Sequence, residues 1–204
     1  MAILNIREID EIGFAAIGKN VQISDKASIY SANRIKIGDN VRIDDFCVLS
    51  PGIGGIEIGS FVHIAISSSL IGAGKITLGD FCNLSSRVSV YSSSDDYSGL
   101  SLTNPTIPDE YKMVINAPVT LGKHVIIGCG SVILPSVHIE DGVAIGALSL
   151  VNKNCKAFNI YAGNPIRKIR ERKKDLLKLE IDFLENPNRK PLLNKIEPLA
   201  KAVG

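Results

Sequence analysis

The sequence has no tryptophan, and phenylalanine and tyrosine bring its aromatic content to only 5%. Its core cannot be organised around large rings, so Ile, Val, Leu and small side chains must build it. Histidine is scarce as well: three residues leave few candidates for a zinc centre. The four cysteines, Cys47, Cys82, Cys129 and Cys155, form no CxxC pair. A zinc ribbon is therefore disfavoured, and the thiols are expected to be reduced and buried. No apolar run approaches the roughly 20 residues that a membrane helix needs. Net charge is also small. With 23 basic and 21 acidic residues the chain carries +2, which argues against a dedicated nucleic-acid binder. Arg7, Glu8, Asp10 and Glu11 stand where a signal peptide would be apolar, so a cytoplasmic protein is expected.

What the chain has in quantity is aliphatic residues on a fixed period. Leu121, Ile127, Ile133, Ile139, Ile145 and Val151 form an unbroken series with a spacing of six. Two residues before each later member stands a slim residue: Val125, Ser131, Val137, Val143 and Ser149. The same register runs earlier through Ile17, Ile23 and Ile29, then Ile37, Ile43 and Leu49, then Ile58, Ile64 and Leu70, then Leu78, Leu84 and Val90. Six fits neither the 3.6 of a helix nor the 2 of a long strand. It fits short strands joined by corners, three to a coil, with the aliphatic residues pointing inward. The predicted fold is all-β: a left-handed parallel β-helix of hexapeptide repeats.

A polar stretch interrupts the repeat at about 92–118, and a loop of this length inside a compact repeat is usually functional. Residues 1–165 are thus expected to form the β-helix domain, and 166–204 a C-terminal helix and tail. The helix is predicted from Ile166 to about Glu185, on an apolar stripe of Ile169, Leu176, Leu177, Ile181 and Leu184. The tail after Asn186-Pro187 is expected to pack on a neighbour. From 166 onward 11 basic residues face 6 acidic ones, a local excess suited to an anionic ligand.

These repeats resemble the left-handed β-helix acyltransferases, the hexapeptide transferase superfamily. The match is strongest over 119–172, which ends in Gly163-Asn164-Pro165 and a basic segment as in the maltose- and galactoside-type sugar O-acetyltransferases. The run YSSSDDYSG, followed by TNP, also resembles acetyltransferases of polysaccharide or sugar-nucleotide precursors. The resemblance implies a homotrimer with sites between subunits, acetyl-coenzyme A as donor, no metal, and a saccharide or sugar-nucleotide acceptor. O- and N-acetylation are both compatible with it. It places Cys129, Ala147, Asn152, Lys153, Arg167 and Arg170 along the coenzyme.

Acyl transfer from a thioester needs a base for the acceptor and donors for the oxyanion. The family's loop histidine falls at Asp95 here. Either activity is lost or another group serves. His63 is expected as general base, in a column with Arg42, Asn83 and Ile126. Asp95 or Asp96 would orient it or bind the acceptor, from the same chain or from across a subunit boundary. Asn83, Tyr97 and Ser67 are expected to bind the acceptor. His124 and His138 read as corner and surface residues. Two alternatives differ in class: a γ-carbonic-anhydrase-like zinc enzyme, for which the histidine spacing is poor, and a trimeric scaffold without activity.

Overall fold

The computed structural model describes residues 2–186. The period of six emerges as short parallel strands on three faces of a prism. The inward ladder of the first face is Ile17, Ile37, Ile58, Leu78, Leu121 and Ile139, each in register with the next. Ile23, Ile43, Ile64, Leu84, Ile127 and Ile145 form the second. Ile29, Leu49, Leu70, Val90, Ile133 and Val151 form the third. These are the residues that the spacing marked as inward. Six coils are complete, and a seventh begins with Cys155 and Asn159–Ala162.

The slim residues Val125, Ser131, Val137, Val143 and Ser149 are all buried beside the corners. The corners themselves use left-handed backbone. Asn40, Phe61, Phe81 and His124 hold φ between 55° and 60° where the first face turns into the second. Phe46, Ser67, Arg87 and Leu148 do the same between the second and third. An L-residue in this region costs roughly 1–2 kcal/mol. The offset is visible in the backbone: each corner amide donates to the coil before it, His124 to the Asp80 carbonyl and Arg87 to that of Ile66, at 2.9 and 3.0 Å.

All four cysteines are free; Cys47, Cys82 and Cys155 are buried, and Cys129 is half-buried. Burial pushes the Cys82 thiol up to about 12 and that of Cys155 to about 11, so both stay protonated. Among the described residues no helix is long and apolar enough to cross a membrane.

Three elements of the described residues lie outside the repeat at its ends. A short helix, α1 (Ile6–Ile12), opens with a reciprocal capping box between Asn5 and Glu8. The predicted C-terminal helix begins later than expected. Residues Arg167–Glu171 form a strand, antiparallel to Asn159–Ala162, and α2 runs over Leu176–Glu185. The basic run has good helix formers, but the last strand of the second face would otherwise leave its backbone groups unpaired. Pairing that edge wins. Leu176, Leu179, Glu180 and Phe183 of α2 line a cleft with Phe61, Phe81 and His124, and Phe183, though itself exposed, meets both phenylalanine rings edge-on. Leu177, Ile181 and Leu184 are exposed. Ile169 lies on the strand. The tail after Asn186 lies outside the described residues.

Segment 92–118 leaves the third face after Ser89–Tyr91 and returns at Val119–Leu121. It is a hairpin, based on antiparallel pairing of Ser93–Ser94 with Ile115–Asn116. Leu70, fully buried on the third ladder away from this hairpin's tip, tests the core: Leu70→Ala is expected to cost about 2–5 kcal/mol in urea unfolding.

Candidate active site

Stacking turns residues about one coil apart into vertical columns. Arg42, His63, Asn83 and Ile126 are consecutive register partners on the outer side of the second face. Asp44, Ala65, Ser85 and Gly128 follow two residues later in the same coils, at the corner toward the third face. The corner carries two further columns: Ile66, Ser86, Cys129 and Ala147, and next to it Ser67, Arg87, Gly130 and Leu148. The fold therefore brings His63, Asn83, Ser67, Cys129 and Ala147 onto one strip. Gly128 fits this strip because a Cβ there would meet the Ala147 amide nitrogen at 2.4 Å. Leu148 is 75% exposed and lies over Gly130, where it fills part of the strip. Arg87 reaches across the corner to the Cys129 sulfur at 3.6 Å.

Within one chain His63 does not meet Asp95 or Asp96. Its Nε2 lies 2.9 Å from Asp44 Oδ2, while Arg42 Nε donates to Asp44 Oδ1 at 2.7 Å. Burial works to raise the Asp44 carboxyl, but the hydrogen bonds from Arg42 and His63 outweigh it and hold the group below its usual value. Asp44 was missed from the sequence. Its signal was present in the coil spacing of 20–21, which stacks it diagonally beneath His63.

Asp95, Asp96 and Tyr97 project on the hairpin, which leaves from the far edge of the third face. The two carboxylates differ in environment. Asp96 accepts from the amides and hydroxyls of both Ser98 and Ser101. These bonds, led by that from the Ser98 hydroxyl, lower it to about 2. Its capacity is spent on closing its own turn. The Asp95 carboxylate is exposed and without a side-chain partner among the described residues. Tyr97 is 94% exposed. The hairpin also encloses a cleft of about 430 Å³ lined by Leu100, Leu102, Tyr111, Lys112 and Met113.

Arg167 pairs with Ala162 and so sits at the strip's C-terminal end, with Arg170 further along the same strand. Asn152 and Lys153 follow Val151 at the opposite edge of the third face, away from Cys129 and Ala147. His124 belongs to a different corner, between the first and second faces. Its ring stacks on Phe81 at 4.9 Å, and Phe81 stacks on Phe61 at 4.8 Å. Its Nε2 lies 2.7 Å from Glu180 Oε2, which ties α2 down. Arg172 adds bonds to the His124 and Gly142 carbonyls at 2.8 and 3.0 Å. His138 is exposed on the first face. No cluster of three metal-ligating side chains occurs among the described residues.

No family model matches the chain. The dTDP-4-amino-4,6-dideoxy-D-glucose acyltransferase of Escherichia coli is 54% identical over 183 residues, 90% of this chain and 95% of that protein. The chain belongs to the hexapeptide-repeat acyltransferases. AntD, an N-acyltransferase from Bacillus cereus solved with dTDP and 3-hydroxybutyryl-CoA, superposes with a TM-score of 0.88 at 48% identity, covering 92% of this chain and 98% of that one. Other crystal structures of AntD carry replacements at one serine and at one aspartate ten positions further on. The galactoside O-acetyltransferase of Escherichia coli is 27% identical over 153 residues, 74% of this chain and 70% of that protein.

The clasp on α2 gives a pH test. The hydrogen bond from His124 holds Glu180 below its ordinary 4.5, so its stabilisation is present above that value and lost as pH falls through the lower, folded one. Glu180→Gln is expected to lower the urea midpoint at about pH 7, with the difference from the parent protein shrinking by about pH 3.

Proposed function

We propose that this acyltransferase transfers an acyl group from coenzyme A to the amino group of a dTDP-linked 4-amino-4,6-dideoxy sugar. The observation that carries this is near-full-length identity of about one half to two proteins: one is named for that acceptor, and the other is an N-acyltransferase solved with dTDP and with coenzyme A or an acyl-coenzyme A. The galactoside enzyme, which acylates oxygen, is far more distant. The sugar nitrogen attacks the thioester carbon, the C–S bond breaks, the nitrogen gives up a proton, and coenzyme A leaves as its thiol.

An amine acceptor also accounts for the aspartate at the position of the family's loop histidine. A sugar hydroxyl is a poor nucleophile until a base begins to remove its proton, and an ordinary carboxylate is weak for that task. An amine is nucleophilic once neutral, and its cationic form is attracted to a carboxylate. Three serine–aspartate pairs in this chain have the spacing of the residues replaced in AntD: Ser85–Asp95, Ser86–Asp96 and Ser131–Asp141. Ser131 is buried and Asp141 caps the Lys123 amide. Asp96 is saturated by its own loop. Ser85, on the strip, and the unpartnered Asp95 are left. We assign Asp95 to holding the amino group, His63 to taking its proton, and Asn83, Ser67 and Tyr97 to the sugar nucleotide. Coenzyme A would follow Cys129 and Ala147 toward Arg167 and Arg170; Asn152 and Lys153, at the far edge of the third face, would reach it only from a second copy.

In one chain the hairpin and the strip stand on different edges. The site so assigned is complete only when a second copy brings its Asp95 to the first copy's His63, which is the reason to propose a homotrimer. The four free cysteines and a coenzyme A substrate suit the cytoplasm.

Purified protein is expected to scatter light as a trimer at micromolar concentration; a monomer active at that concentration would refute the shared site. With dTDP-4-amino-4,6-dideoxyglucose, release of free thiol from acetyl- or 3-hydroxybutyryl-coenzyme A is the expected activity, and its absence with both donors would overturn the acceptor. His63→Ala should lower turnover roughly 10²–10⁴-fold with little change in coenzyme affinity. Asp95→Asn should act mainly on KM for the amino sugar. Full turnover in His63→Ala with none in Asp95→Asn would reverse the two roles.

A further inference from the structure

We propose that Asp44 is a positioning residue: clamped by Arg42, its carboxylate accepts the Nε2–H of His63 and so presents Nδ1 as the bare nitrogen that takes a proton. This rests on His63 being the base, but it concerns a different atom-level property that can be measured apart from activity.

The geometry comes from the repeat. Arg42 and Asp44 flank the inward Ile43, so both point outward and lie close enough for Arg42 Nε to donate to Oδ1 at 2.7 Å. His63 stands one coil up, in register with Arg42, and reaches diagonally to Oδ2 at 2.9 Å. Each carboxylate oxygen thus has one donor, and the carboxylate cannot turn without losing both.

A carboxylate held ionised has no hydrogen to give. The proton in the shared bond must therefore sit on the imidazole, which fixes the tautomer. The accessibilities agree with this division of labour: the Asp44 side chain is 14% exposed and that of His63 41%. The carboxylate is tucked against the prism, and the imidazole keeps an open side on the strip that also holds Asn83 and Ser85. His124 offers a contrast within the same molecule. It too has a carboxylate on Nε2, but its ring lies against Phe81 and its side chain is only 10% exposed, so that pair serves to hold α2.

A merely structural ion pair between Arg42 and Asp44 would not require His63 at all, and the two cases separate experimentally. Protein labelled with ¹⁵N at histidine, its His63 signals assigned by their loss in His63→Ala, is expected to show Nε2 protonated and Nδ1 bare in the neutral ring. Asp44→Asn should replace this by a mixture of tautomers, because an amide can donate as well as accept. In turnover, Asp44→Asn should lower kcat roughly tenfold or more at unchanged KM for both substrates. Made in the His63→Ala background, it should cost nothing further. A proton on Nδ1 in the parent protein would overturn the proposal. So would an equal loss from Asp44→Asn with and without His63. Should His63→Ala alone retain full turnover, the base assignment falls, and the tautomer spectrum still decides whether Asp44 sets the ring.

Discussion

Everything in this molecule depends on the hydrogen bonds that stack one coil on the next. They are parallel, regularly spaced, and tolerate no slip, since a shift of one residue would turn every inward aliphatic side chain outward. Residues a coil apart, such as Ile43, Ile64 and Leu84, are thereby locked into vertical ladders. The outer side obeys the same rule. A polar residue on one strand sits about 4.8 Å from its counterpart on the next, so chemistry is displayed in columns on the faces and edges. Left-handed corner residues such as Phe81 and Arg87 follow from this: the chain must bend in a fixed place in every coil, whichever side chain occupies it.

That same constraint explains what could be read in advance. A ladder is a sequence period, so Leu121, Ile127 and Ile133 announce their faces without reference to anything distant. Asn83 could be placed beside His63 because register carries outward columns along with inward ones. The strand Arg167–Glu171 has no such signal. Its segment is rich in helix formers, and it is extended because a neighbouring edge needs partners, a fact absent from its own residues. The Asp44–His63 contact falls between these cases. It is diagonal, one coil minus two residues, and becomes visible only after the register is known. Asp95 and Asp96 are adjacent in sequence yet unlike in situation; the serines at 98 and 101 that occupy one and spare the other act through local folding of the loop.

Two histidines in the same chain each face a carboxylate, and packing alone separates their uses. Stacked on Phe81 and covered by α2, His124 contributes to holding the C-terminal segment on its corner. His63 has an aliphatic ladder behind it and an open strip in front. The assignment of chemistry to one and architecture to the other thus comes from what lies against each ring, since the bonded partner is a carboxylate in both.

The reversed strand at 167–171 has a consequence for how copies of the chain can meet. A stack of parallel coils is, in principle, a template for indefinite growth, with each end ready to accept another subunit's first coil. Here the last edge of the second face is taken by a strand running the opposite way, so the parallel ladder of the repeat ends there. Arg167, Lys168 and Arg170 add like charges along that outer rim, which would repel an identical end brought against it. Axial stacking of identical ends is opposed along this rim.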